Sequence, residues 1–168
     1  MNLPEGSRAE LIDGELFMCP SPREPHQWVV ANLHLLLGGF VKSRKLGRVY
    51  TAPFDVHLPS GDIVEPDILF VAKNNMGIIQ DWIRGAPDLV VEVMSPAGLE
   101  RDRVVKRDLY ANNGVREYWI VDVANKSVEV FTLQGTQYEP NGYFENGNTL
   151  VSPILPEFKL ALADLFAE

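Results

Sequence analysis

Apolar and polar positions along this chain switch between two periods. Around Asp13-Gly14 the stretch AELIDGELFMC gives two short β-like runs flanking a turn dipeptide, which predicts a β-hairpin. From about residue 24 to 46 the period lengthens. Trp28, Val29, Leu33, Leu36, Leu37 and Phe40 recur at helical spacing, with Pro25 suited to the first turn and Gly47 near the end. RVYTAPFDVHL and DIVEPDILFVA then read as strands joined by the turn PSG, and DLVVEVM as a third, β-branched strand. A second helix is expected over about 99–112, stopping at Asn113-Gly114. REYWIVDV and SVEVFTL form two more strands around ANK, QYEPNGYFENGNTLVSP is turn-rich, and LALADLFA makes a short closing helix. No repeat or linker divides these elements, so residues 1–168 read as one domain. Their order predicts an α/β or α+β core with a central mixed sheet flanked by helices and an N-terminal hairpin.

Composition narrows the picture only a little. A chain of 168 residues that is 46% hydrophobic and 23% charged is long enough to bury one substantial core. No apolar run approaches the ~20 residues needed to span a bilayer, and the first residues lack the basic-then-apolar order of a secretory signal. The single cysteine, Cys19, reads as a packed side chain in a reducing, cytoplasmic setting. A net charge of −8 argues against non-specific coating of nucleic acid. Base is nonetheless concentrated at Lys42, Arg44, Lys45 and Arg48, and again at Arg101, Arg103 and Arg107.

The acids raise a sharper question. VEPDILFV places Glu65 and Asp67 on either side of a proline at the start of a buried strand, and Glu92 stands inside the apolar run LVVEVM. An unpaired charge in a core costs several kcal/mol, roughly. Period two sets Asp88, Val90, Glu92 and Met94 on one face. Asp88 and Glu92, four residues apart at ~3.3 Å each, are too distant to share an ion. Asp67, on a neighbouring strand ~4.8 Å away, is the better partner for Glu92, a spacing at which two carboxylates hold one Mg²⁺ or Mn²⁺. On the following helix Asp102 and Lys106 fall within the apolar arc of Leu99, Val105, Leu109 and Tyr110. Two readings of Lys106 stand: it pairs with Asp102 and reaches to water, or it points back over the sheet toward Glu92. Glu10 reads as an edge-strand charge and His26 as a helix-start residue, while His34 and His57 have no evident partners. Zinc-type Cys/His spacing, a phosphate-cradling glycine loop and a nucleophile elbow are all missing.

The blocks ELIDGEL, PHQWVVANL, VEPDILFV, PDLVVEVMSP and RDRVVKRDLYANNGVREYWIVD resemble, in that order, a bacterial family of restriction endonucleases in the PD-(D/E)xK nuclease superfamily. The likeness runs from about Glu10 to Asp122, with a tail to Leu165. It implies the restriction-endonuclease-like fold, with Asp67 and Glu92 as metal-binding catalytic acids and the backbone carbonyl of Val93 as a further ligand. The lysine expected two residues after Glu92 is replaced by Met94; by resemblance it has moved to Lys106 on the next helix. Glu10 matches a recurring N-terminal acid that completes such sites, and His26 a recurring auxiliary histidine. The implied activity is Mg²⁺- or Mn²⁺-dependent endonucleolytic hydrolysis of DNA by a cytoplasmic homodimer. Its rival is a nuclease fold without turnover, serving as a nucleic-acid-binding or accessory module.

Overall fold

The computed structural model describes residues 8–94 and 101–167, the side chains of 101 and 102 excepted. The chain opens with the expected hairpin, β1 (Ala9–Ile12) and β2 (Glu15–Met18). Asp13 and Gly14 both take positive φ, 51° and 78°, as a two-residue turn between right-twisted strands requires. Helix α1 (Glu24–Arg44) follows, with Pro25 in its first turn and Lys45 closing it in the left-handed region.

The two long strands expected next are each cut in two. They become β3 (Gly47–Thr51) and β4 (Val56–His57), then β5 (Ile63–Val64) and β6 (Ile68–Ala72). The cuts fall at Pro53 and Pro66, neither of which has an N–H to continue a ladder. At each cut the chain changes sheets: β3 pairs with β6, whereas β4 pairs with β5. Asp67 thus sits at a crossover between two sheets rather than within a continuous strand.

After a 3₁₀ segment (Lys73–Ile78) come β7 (Ile83–Arg84) and β8 (Leu89–Met94). A π-helical turn (Arg101–Lys106) then runs into α2 (Arg107–Asn112). Its wider winding shifts the phase expected of a regular helix, so Val105 is exposed while Lys106 is buried. Asp102 and Leu99, the other members of the expected arc, lie outside the described side chains. The remainder is β9 (Glu117–Asp122), β10 (Ser127–Gln134), β11 (Gln137–Glu145), β12 (Thr149–Val151), β13 (Lys159–Ala161) and α3 (Leu162–Leu165).

Strand β11 corrects the expectation of a turn-rich segment, and β13 takes the first part of the expected closing helix. Pro140 and Gly142 read as turn formers, yet β11 lies on a sheet edge where only one flank must be paired. The register shifts between Val130 and Phe131 opposite Pro140 and Gly142. The Phe144 ring covers Gly142 so closely that a Cβ there would meet it at 2.5 Å, so glycine is the residue that fits.

The large sheet runs β11-β10-β9-β8-β6-β3, parallel only between β8 and β9; the second runs β2-β1-β5-β4-β7. This is the mixed α+β architecture anticipated. Leu89, Val91 and Val93 face α1, where Val29, Leu33 and Leu37 join Trp119, Val121 and the C-terminal segment in one core. Each such side chain contributes about 1.5–3 kcal/mol when fully buried. The alternate residues, Val90 and Met94, face the second sheet and α2 with Ile12, Val64, Tyr110 and Tyr118. Glu92 points into this second layer. Among the described residues no helix is long and apolar enough to cross a membrane.

Candidate active site

Three elements converge on Glu92, which is 3% exposed. From the start of α2, Lys106 extends its ammonium to 2.9 Å from Glu92 Oε1 and 2.8 Å from Glu10 Oε1. Lys106 is itself 3% exposed, so of the two readings of this lysine the structure has the one over the sheet. Glu10 is buried as well. It lies on β1, an inner strand between β2 and β5, not on an edge, and its Oε1 also accepts the backbone N–H of Glu65. One helical turn on from Lys106, the hydroxyl of Tyr110 donates to Glu92 Oε1 at 2.7 Å. Burial and then the Glu92 and Glu10 charges push the Tyr110 phenol well above its ordinary range, so it stays a donor.

Tyr110 is the site residue that sequence reasoning missed. It was legible only as part of an apolar arc. The available signal was a hydroxyl, rather than plain phenyl, one turn after a buried lysine.

Asp67 occupies the adjacent edge. Ile68 of β6 pairs with Val91 of β8 in antiparallel register; continued by one residue, that register sets Asp67 opposite Glu92. Asp67 Oδ2 accepts the N–H of Val93 at 2.8 Å and lies 3.2 Å from Nε2 of His26, carried on the first turn of α1. The N–H and C=O of one extended residue point toward the same strand edge, so the Val93 carbonyl lies on Asp67's side. Arg8 and Glu65 flank the group, paired at 2.8 Å. Cys19, lying near the same charges, has its thiol pushed up to about 11 by burial and by Glu10.

All the sequence-predicted residues therefore meet at one seam: Glu10, Glu92 and Lys106 in direct contact, with Asp67, His26 and Val93 beside them. His34 and His57 do not join. His34 lies farther along α1, and His57 stacks on the partly exposed Trp82 at 5.4 Å. Two carboxylates around one ammonium leave a formal negative charge among the described residues, and Asp67 adds a second. The carboxylates of Glu10, Glu92 and Asp67 turn hard oxygens to this seam, with the His26 imidazole nitrogen beside them. Among the described residues no three His, Cys, Asp or Glu side chains are placed to enclose a metal ion. The arrangement matches what Mg²⁺ takes from proteins: one or two carboxylates, with water and substrate completing the shell.

The family model described as Uma2, putative restriction endonuclease, matches residues 1–163. The chain belongs to the Uma2 family. Among solved structures, it is similar to that titled a putative nuclease belonging to DUF820 from Anabaena variabilis ATCC 29413. The two are 21% identical, with a TM-score of 0.82 over 98% of this chain and 93% of that one. At that identity the likeness establishes a shared fold. No curated protein matches the chain. Membership in the Uma2 family agrees with the block order seen in the sequence, and the shared fold with the predicted sheet and helices.

Proposed function

We propose that this Uma2 protein is a divalent-metal-dependent endonuclease hydrolysing DNA phosphodiester bonds, with its essential lysine on the helix after the second acid rather than on the strand. The observation that carries the reading is the Lys106 ammonium, buried and held 2.9 Å from Glu92 by a helix that follows β8. Asp67, Glu92 and the Val93 carbonyl would hold Mg²⁺ or Mn²⁺. A cation bound there supplies Lewis-acid stabilisation of the phosphate and lowers the pKa of water.

The chain's own groups do the rest. Lys106 orients the attacking water and stabilises charge developing on phosphate oxygens, an effect worth roughly 10²–10³ in rate for one preorganised donor. Glu10 and Tyr110 fix its position and that of Glu92, while His26 and the Val93 N–H fix Asp67.

One observation favours the rival reading of a nuclease fold kept for binding nucleic acid. Glu92 Oε1 already accepts from both Lys106 and Tyr110, so the acid is neutralised from within. Calorimetry with Mn²⁺ on the native protein, Asp67→Ala and Glu92→Ala separates the two. The nuclease reading expects binding that is lost in both variants, and DNA cleavage that stops with chelator. Full binding in both variants would overturn the ligand assignment. Native binding of DNA with no cleavage in Mg²⁺ or Mn²⁺ would leave the accessory role.

A further inference from the structure

The seating of α1 on the large sheet leaves a trough along β3. Next to Asp67 lies a cleft of about 330 Å³ walled by Arg8, Gln27, His34, Thr51 and Pro53. A second, of about 600 Å³, runs on past His34 along Gly38, Lys42, Arg48 and Tyr50. His34 belongs to both walls. Gln27, Ala31, His34, Gly38 and Lys42 succeed one another at intervals of three or four residues, which makes them one stripe of α1. The clefts are thus two ends of one trough, bounded by that stripe and by β3, a sheet-edge strand. At ~1.5 Å per residue the stripe is roughly 22 Å long.

Its chemistry is unlike that of the molecule as a whole. In a chain of net charge −8, the walls carry Lys42 and Arg48, with Arg8 paired to Glu65, against one lining carboxylate, Asp67 itself. Of the other lysine-arginine groups named from the sequence, Arg44 pairs with Glu157 and Arg103 with Glu129. Lys42 and Arg48 are exposed, whereas Tyr50 is partly buried, its ring braced on Phe54 at 4.9 Å. Spaced cations beside a fixed aromatic ring over an apolar floor suit a phosphate backbone with unstacked bases.

We propose that this trough binds one unpaired strand of nucleic acid and leads its phosphodiester to Asp67, a statement that takes its orientation from the nuclease reading of Asp67. Lys42 and Arg48 contact backbone phosphates and Tyr50 stacks a base. At about 600 and 330 Å³ the clefts have the capacity of small-ligand sites, ~300–1,000 Å³, which suits nucleotides of one strand taken a few at a time. A flap, a gap or a free end supplies such a strand.

Fluorescence anisotropy of the full chain with a short labelled oligothymidine, and with the matching duplex, tests this in EDTA, where cleavage is silent. The single strand is expected to bind at least tenfold more tightly, roughly one stacked base's worth. The double substitution Lys42→Ala and Arg48→Ala should weaken it about tenfold and flatten the log–log salt dependence by about 1.4, two phosphates' worth. Tyr50→Leu should weaken it by a similar factor with the salt slope unchanged. Equal affinity for duplex, or native affinity in the double variant, overturns the proposal. So does a dimer in size-exclusion chromatography that the double variant dissociates, since the trough would then seat a second copy. Strand binding in EDTA with no cleavage in Mg²⁺ or Mn²⁺ would remove the nuclease reading and leave the trough. Metal-dependent cleavage that ignores all three substitutions would do the reverse.

Discussion

Two glutamates stand on adjacent central strands, Glu92 on β8 and Glu117 on β9, and both are almost wholly buried. They face opposite layers. Glu92 meets an ammonium, a phenol and, through that ammonium, a second acid. Glu117 meets only neutral donors: Trp119 Nε1 at 2.6 Å, Ser152 Oγ at 3.1 Å and the Ile154 N–H at 3.1 Å. Two of these donors belong to the segment between β12 and β13, so Glu117 ties the C-terminal part of the chain to the sheet. Burial pushes the Glu117 carboxyl up, and the three donors only partly offset it. Neutral donors satisfy lone pairs and leave nothing for a substrate. Glu92 shares its ammonium with a second acid, so its described surroundings are ionic where those of Glu117 are neutral. Burial is common to both carboxylates; the charge of their partners is what differs.

The largest effect should come from removing the charge that Glu92 and Glu10 share. Lys106→Met leaves two carboxylates buried together and is expected to cost about 3–5 kcal/mol in urea unfolding. Cleavage should fall by at least ~10². Adding Glu10→Gln to Lys106→Met should recover much of the stability and none of the activity. A Lys106→Met protein as stable as the native one would show that the ammonium is not holding the acids together, and the contrast with Glu117 would fail.

The same cut on the other side of the sheet should read differently. Glu117→Ala leaves Trp119, Ser152 and Ile154 donors without their acceptor, at about 2–3 kcal/mol or more. Mn²⁺ affinity should not change, and hydrogen exchange should quicken at residues 152–155. The pH dependence of stability follows from the raised carboxyl. The folded state holds this proton more tightly than the unfolded chain, so Glu117 favours folding at low pH. That contribution is lost as pH rises from the unfolded carboxylate range through the higher folded value, and is flat beyond it. Unfolding free energies of native and Glu117→Gln proteins across that window check the sign: the native curve should fall relative to the variant as pH rises.

This contrast explains what the sequence could and could not say. Glu92 and Lys106 were legible because each is a charged residue breaking an otherwise apolar periodicity, and both prove buried. Glu117 breaks the same kind of pattern, in REYWIVD alongside Trp119 and Val121, but two of its three partners lie 35 and 37 residues on and no local spacing announces them. Asp67 was singled out by the spacing of neighbouring strands, with Pro66 as a strand start, and the register, continued by one residue, does set it opposite Glu92. Pro66 does more than begin a strand, because together with Pro53 it sends the chain from one sheet to the other. Strand β11 was hidden because proline and glycine signal turns locally, whereas an edge position and the Phe144 ring are tertiary facts. Val105 was misplaced because a π-helical turn cannot be told from a regular one by apolar spacing alone.

The smallest effect should report on the site's charge without touching nucleic acid. Cys19 has its thiol pushed up to about 11, first by burial and next by Glu10, with Lys106 and Arg8 pulling the other way. At pH 8 about one thiol in a thousand is then ionised, and because the thiolate is the nucleophile, iodoacetamide should label the native protein slowly. Glu10→Gln removes an anion from the thiol's surroundings, so labelling at pH 8 should quicken by a few-fold. Arg8→Gln removes a cation and should slow it. Glu117→Gln, on the far face of the sheet, should leave the rate where it was. Equal labelling rates in all four proteins would mean that Glu10 does not act on Cys19 as a fixed negative charge, and the contrast between the two faces of the sheet would lose its electrostatic basis.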